Sequence, residues 1–239
     1  MKTLAGKKAF IGGLRISDGT VDRRREARTV LAEVDLLLSA VSGSLADAGV
    51  KDENREAMSV VLGIDEAIDG IKAGFFKGIV ADGPMGASPV IFPYTSPNAI
   101  AARVTIAFAI KGEDMTFASG PLSFLKALSY GSFLVSNGFS GTVLVCGVTG
   151  GKAASIVVSD VKGGVAISEA LEYRTADGCA GRITSMAETF ALFKEAYKSA
   201  ASGSASHVTV EDRWGNGIRL LVTAGTALNT EDGFAGIQA

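Results

Sequence analysis

Few side chains in this chain are able to start a reaction, and their setting limits what each can do. Two serines, Ser119 and Ser123, flank Gly120-Pro121-Leu122 in the stretch from Met115 to Gly131. That stretch reads as a short strand, a tight turn and an apolar helix. A hydroxyl at such a corner is a nucleophile only with a base beside it, and no neighbouring residue in the sequence supplies one. Pro121, at the start of the helix, has no nucleophilic atom and no backbone N–H, and it suits a first helical turn. Ser119 or Gly120 would cap that turn. Cys146 lies inside the apolar run Thr142–Val148, where a free thiol behaves as a small buried hydrophobe. Cys179, in Asp177-Gly-Cys-Ala-Gly181, has no predicted base near it. His207 is the one histidine of the chain, and it reads as a solvated residue at the start of a strand. No spacing of His, Cys and Asp suggests a metal, and no cofactor is expected.

Other motifs are weaker still. Cys146-Gly-Val-Thr-Gly-Gly-Lys-Ala153 resembles a phosphate loop, but Cys146 replaces its first glycine and Ala153 its closing Ser/Thr. It reads as a turn between strands. Arg23, Arg24 and Arg25 with Arg28 form the one dense basic cluster, read first as a solvated helix start diluted by Asp18, Asp22 and Glu26.

The elements that would position these residues alternate between strand and helix patterns, which predicts an α/β fold. A strand over Lys8–Leu14 ends in glycines. A helix from about Arg28 to Ala48 carries Val30, Leu31, Val34, Leu37, Leu38, Val41 and Leu45 at helical spacing, with Gly49 at C′. Met58–Leu62 is a strand, Asp65–Phe76 a helix, and Pro84–Pro97 a loop broken by prolines. Asn98 caps a helix that runs to Ile110. After the corner come a helix to Ser136, the strands Thr142–Val148, Ala153–Val158 and Val165–Tyr173, and an amphipathic helix over Ile183–Ala201. The chain closes with a hairpin, His207–Arg213 and Ile218–Thr223, and a frayed tail from Asn229.

The chain has 239 residues, 47% of them hydrophobic and 20% charged, with a formal net charge of −2 and a mean hydropathy of +0.31. Such a length buries a sizeable core in one large domain or two small ones. No run approaches the roughly 18 apolar residues of a membrane helix, and the first apolar run is too short for a signal peptide. The charge argues against nucleic acid as a main partner. Two cysteines make no disulfide framework, so a reducing cytoplasm is expected.

Three stretches, covering most of residues 1–160, resemble the β-ketoacyl-acyl-carrier-protein synthases. Glu33-Val-Asp-Leu-Leu-Leu-Ser-Ala40 with Ser44-Leu-Ala-Asp-Ala-Gly49 is similar to that family's early helix. Ile91-Phe-Pro-Tyr-Thr-Ser-Pro-Asn98, with Phe92, Thr95, Pro97 and Asn98, is the most specific motif of the resemblance and is similar to the segment before that family's nucleophile strand. Ile110-Lys-Gly112 through Leu128 resembles its nucleophile corner. Setting Ser123 and Ala127-Leu128 against the family's helix puts Pro121 where the catalytic cysteine stands. A slip of one residue would put Gly120 or Leu122 there, and neither replaces a thiol.

The resemblance implies a thiolase-like half: α/β, one mixed sheet with helices on both faces, as a single domain over 1–239 with a divergent helix-plus-hairpin ending over 183–239. It implies a degenerate nucleophile corner at Ser119, Gly120, Pro121 and Ser123, braced by Phe92–Asn98. In the complete synthase fold the helix after the corner is sandwiched between two sheets. Leu122, Phe124, Leu125, Leu128, Phe133, Leu134 and Val135 cover most of its circumference, so a second protein chain is expected to cover it. The function implied is that of a non-catalytic subunit resembling the chain length factors, which pair with an active ketosynthase in polyketide or fatty-acid-type pathways. A heterodimer is expected first and a homodimer second, with Arg23, Arg24, Arg25 and Arg28 as a docking patch for an acidic acyl carrier protein. Two alternatives stay open: a short condensing or acyl-transfer enzyme using Ser119 or Ser123, and an acyl-chain or carrier-protein binding module.

Overall fold

The computed structural model describes residues 9–19, 26–161, 164–174 and 183–225 of the chain. Arg23, Arg24, Arg25, Cys179, the side chain of Arg28 and the tail from Asn229 lie outside the described residues. The strands are β1 (Ala9–Asp18), β2 (Ser59–Ile64), β3 (Asp114–Phe117), β4 (Thr142–Thr149), β5 (Lys152–Ser159), β6 (Val165–Arg174), β7 (Ser206–Glu211) and β8 (Asn216–Ala224). The helices are α1 (Glu26–Asp47), α2 (Asp69–Asp82), α3 (Asn98–Ala107), α4 (Ser123–Ser136) and α5 (Met186–Ala201).

All eight strands join one sheet in the order β3-β2-β4-β5-β1-β6-β8-β7. β2 runs parallel to β3 and β4, and the remaining pairs are antiparallel. β2 and β4 are central and buried almost throughout, which is why their sequences are continuous apolar runs rather than alternating ones. Their alternate residues feed two cores. Val60, Leu62, Leu144 and Cys146 meet α1, α2 and α3 on one face. Val61, Val143 and Val145 meet α4 and α5 on the other. The expected fold class, one mixed sheet with helices on both faces, is what the chain forms.

Several boundaries differ from the sequence expectation, each for a physical reason. β1 runs on through Gly12-Gly13 to Asp18, because β5 pairs with it along that whole length and a bulge between Ile11 and Gly13 takes up the irregularity. α2 starts at Asp69, not Asp65, because the Asp65 N–H is used by the Val148 carbonyl and Glu66 adopts φ 59°. It continues past Phe76 to Asp82, beyond which Gly83 turns the chain at φ 63°. The proline-rich loop holds two single-turn 3₁₀ segments, Gly83–Gly86 and Phe92–Thr95. α3 ends at Ala107, short of Ile110, with Ala109 at φ 55°. Asn98 is its first helical residue, and its side-chain oxygen accepts from the Ser96 hydroxyl instead of capping the helix. α5 begins at Met186 with Ser185 as its cap, accepting from the Glu188 N–H. Gly49 does stand at C′ of α1, with φ 65°.

The largest correction concerns what covers α4. Its far side is closed by the same chain, not by another. Phe190 and Phe193 of α5 meet the Phe124 ring edge-on at centroid distances of 4.9 and 5.8 Å. Val208, Val210, Ile218, Leu220 and Val222 of β7 and β8 join the same core. The outer face of α5, with Glu188, Lys194, Glu195 and Lys198, is solvated. Among the described residues no helix is long and apolar enough to cross a membrane.

This packing makes α5 integral to the domain. Phe190→Ala is expected to lower stability by about 3–5 kcal/mol, the range for a buried ring truncated to alanine. Leu192→Ala, on the half-exposed side of the helix, should cost less than about 1 kcal/mol. Urea unfolding followed by circular dichroism reads both.

Candidate functional site

The corner lies where β3 hands over to α4. A single 3₁₀ turn, Gly120–Leu122, joins them, with Gly120 at φ 58° and Pro121 at its second position. An L side chain at residue 120 would be strained, so the glycine is what lets the chain reverse. Beside it β2 comes as close as backbone allows: a Cβ added at Gly63 would stand 2.5 Å from the Ser123 carbonyl carbon. These two positions bring the first turn of α4 against the end of the central strand.

Ser119, Gly120, Pro121 and Ser123 therefore sit together, and their polar atoms bond largely to one another and to the scaffold. The Ser119 N–H donates to Ser123 Oγ at 2.7 Å. Ser123 Oγ, fully buried, directs its own hydrogen towards the carbonyls of Ile64 at 2.9 Å and Gly120 at 2.8 Å. A buried hydroxyl whose proton is held by backbone carbonyls and which accepts a backbone N–H besides is poorly placed to act as a nucleophile. The Pro121 carbonyl accepts from Thr189 Oγ1 of α5 at 2.9 Å. At the start of α5, Asp65 Oδ2 accepts from the Met186 N–H at 3.2 Å. Burial raises the Asp65 carboxyl above its ordinary range, the Met186 hydrogen bond opposing it.

Ser119 differs from Ser123. It is partly exposed, and Lys126 Nζ stands 3.5 Å from its Oγ, at the outer limit of a hydrogen bond. Lys126 is two helical turns further along the chain, and its role near Ser119 had no sequence signal beyond that spacing. Thr189 reaches Pro121 across 68 residues of sequence, and Asp65 meets Met186 across 121, and nothing local could have announced either.

The remaining candidates stand apart from the corner. Phe92, Thr95 and Pro97 lie between α2 and α3, and Asn98 opens α3. There the Phe92 ring is 5.9 Å from that of Phe75, and Thr95 Oγ1 donates to the Phe92 carbonyl at 2.7 Å. Cys146 is fully buried in β4, and burial pushes its thiol up to about 12 against a hydrogen bond from Ser155. A thiol held that far above neutrality supplies no thiolate. His207 is exposed on β7. Among the described residues no group of His, Cys, Asp and Glu is placed to hold a metal ion.

Ser123 is thus a structural lock of the corner. Ser123→Ala should strand the Ser119 N–H and cost about 1–3 kcal/mol, whereas Ser119→Ala should cost less than about 1 kcal/mol. Differential scanning calorimetry of the two variants distinguishes them.

With this geometry in place, comparison with known proteins is direct. Residues 13–185, well over half of the chain, match the family described as Beta-ketoacyl synthase, N-terminal domain. Comparison with curated proteins finds no match. Among solved structures, one similar chain comes from AntDE:AntF, a type II polyketide synthase acyl-carrier protein in complex with its ketosynthase bound to the hexaketide. It is 11% identical over 91% of this chain and 99% of that chain, at a TM-score of 0.68. The ishigamide ketosynthase/chain length factor is 14% identical over 91% and 99%, at a TM-score of 0.64. The ketosynthase ApeO in complex with its chain length factor ApeC, from Xenorhabdus doucetiae, is 12% identical over 90% and 99%, at a TM-score of 0.58. At such identities the likeness is one of fold, a thiolase-like half built on one mixed sheet. By the family match, the chain belongs to the beta-ketoacyl synthases, through their N-terminal domain.

Proposed function

We propose that this chain is a cytoplasmic, non-catalytic, chain-length-factor-like subunit of a polyketide or fatty-acid-type pathway, pairing with an active ketosynthase. The observation that carries the proposal is the closed corner. Proline occupies the position that the family resemblance assigns to the nucleophile, its carbonyl is bonded to Thr189, and Phe190 and Phe193 fill the space over α4. Pro121 itself offers an acyl group no nucleophilic atom. On this proposal residues 1–160 are the family-like part of a single domain, and 183–239 form the helix-plus-hairpin ending that closes it.

A partner surface is available elsewhere. β3 ends the sheet and pairs on one side only. Met115 on that strand is exposed and Ile106 on α3 is 74% exposed, and Phe76, Val80, Met85 and Phe92 on α2 and the loop after it are exposed as well. An unprotected edge strand with apolar flanks is a site for another chain to continue the sheet. Two of the similar structures are ketosynthase and chain-length-factor assemblies, which supports a ketosynthase as that other chain, with a second copy as the alternative.

One observation favours a second reading. The Lys126 ammonium donates to the partly exposed Ser119 hydroxyl at 3.5 Å, and such an amine becomes the base that an acyl-transfer enzyme needs only when it is deprotonated.

Both readings are tested together. Co-expression with an active type II ketosynthase should yield a stable complex. Ile106→Asp with Met115→Asp should reduce recovery of that complex about tenfold, equivalent to about 1.4 kcal/mol, while thermal unfolding of the isolated chain stays unchanged. The purified chain, incubated with acyl-carrier thioesters, should show no acyl adduct by intact-mass measurement. A chain that stays monomeric and fails to recover the ketosynthase overturns the subunit. An adduct lost in Ser119→Ala establishes the enzyme.

A further inference from the structure

Asp65 ties the central strand to the first turn of α5, and its setting is costly. It follows the last residue of β2. The turn after it is strained: the Ala67 N–H donates back to the Asp65 carbonyl at 2.7 Å, and Glu66 between them has φ 59°. That is the rarer hand of a three-residue turn, which a residue other than glycine adopts only under constraint. Two neighbours supply the constraint. The Asp65 N–H is held by the Val148 carbonyl at 3.1 Å. The Ile64 carbonyl accepts from Ser123 Oγ, and Gly63 lies against the backbone of Ser123. The end of β2 is therefore pinned, and the Asp65 carboxyl is presented to α5, where Oδ2 accepts from the Met186 N–H at 3.2 Å.

Opposing effects meet at that carboxyl. Burial disfavours its charge, and so do the like charges of Glu66 and Asp69, next along the chain. The Met186 hydrogen bond favours the charge but does not prevail, and Asp65 titrates above its ordinary range. Among the described residues no cation offsets this: neither Lys72 on α2 nor Lys126 on α4 acts on it. Lys152 on β5 is paired with Asp18, and β4 carries no charged residue. In the first turn of α5, Glu188 is engaged by the hydroxyls of Thr184 and Ser185. A carboxyl that titrates higher in the closed form than in the open one stabilises closure below the ordinary carboxylate range. That stabilisation is lost as pH rises through the raised value. Here the open form has the start of α5 lifted and Asp65 returned to water.

We propose that Asp65 is a pH-sensitive latch: protonated, it clamps the first turn of α5 onto the corner, and ionised, it lets that turn lift from Pro121. A protonated carboxyl still accepts from the Met186 N–H through its carbonyl oxygen, so the clamp keeps its hydrogen bond while losing the cost of a buried charge. The movement is confined to Met186–Thr189, because Phe190 and Phe193 remain packed on the Phe124 ring. When the turn lifts, Thr189 releases the Pro121 carbonyl as well. The latch concerns the closure of this chain alone and stands whether or not the subunit function does.

Hydrogen exchange of the full chain, followed by mass spectrometry between about pH 5 and about pH 8 and corrected for the intrinsic pH dependence of amide exchange, reads the latch directly. We expect the start of α5 to exchange several-fold faster at the upper end of that range, with β4 as an internal reference that does not change. Asp65→Asn keeps an acceptor and removes the ionisation, so it should hold the low-pH protection throughout. Glu66→Gln with Asp69→Asn leaves Asp65 in place but removes its like-charged neighbours, and it should shrink the pH dependence. Thr189→Val removes the contact with Pro121 and no titrating group, and it should speed exchange equally at both ends of the range. Protection of α5 that does not vary with pH in the unsubstituted chain overturns the latch. So does a pH dependence that survives in Asp65→Asn. Should that variant fail to fold by circular dichroism, an undiminished pH dependence in the Glu66/Asp69 double variant overturns it instead.

Discussion

α4 is apolar around nearly its whole circumference, and such a helix is stable in water only when both of its sides are covered. The sheet covers one side through Val61, Val143 and Val145. The other is covered by Phe190 and Phe193, with the sheet continuing past β1 through β6, β8 and β7 to complete the enclosure. Each buried aromatic ring contributes on the order of 1.5–3 kcal/mol. The segment after residue 185, which the family match does not reach, is therefore what gives the family-like part a closed core.

Covering α4 in this way decides the chemistry of the corner. Once α5 lies across the helix, its first turn must meet the end of β2 and the turn before α4. Polar atoms buried there need partners, and they find them in one another: Met186 with Asp65, Thr189 with Pro121, Ser119 with Ser123. Reaction chemistry at such a corner needs groups held in place but unsatisfied until substrate arrives. Here the saturation is internal, and the sulfur of Cys146 is shut in the opposite core.

The two surfaces left open differ in kind. Around β3 the sheet ends in unpaired backbone flanked by apolar side chains, and such an edge gains most from another strand and another apolar face. The β7–β8 turn instead presents one exposed ring, Trp214, with the Arg213 guanidinium against it.

Periodicity in the sequence was enough for the order and type of the elements, because period 2 and period 3.6 are properties of a few consecutive residues. Val60–Leu62, Thr142–Val148 and the stripe along α1 belong to that class. So do the turn at Gly120-Pro121, the helix stop at Gly49 and the burial of Cys146. The family resemblance around Pro121 was legible for the same reason, being carried by short runs. Only the tertiary structure decided which faces meet. β1 outlasts its glycines because β5 pairs with it. α3 ends early because Ala109 turns left-handed. α4 is covered by α5 and not by another chain, and Lys126 rather than any adjacent residue stands by Ser119. Local patterns specify that a surface is apolar or that a donor needs an acceptor. They do not specify the partner, because that choice is made by contacts such as that of Asp65 with Met186, 121 positions apart, and those form only when the whole chain closes.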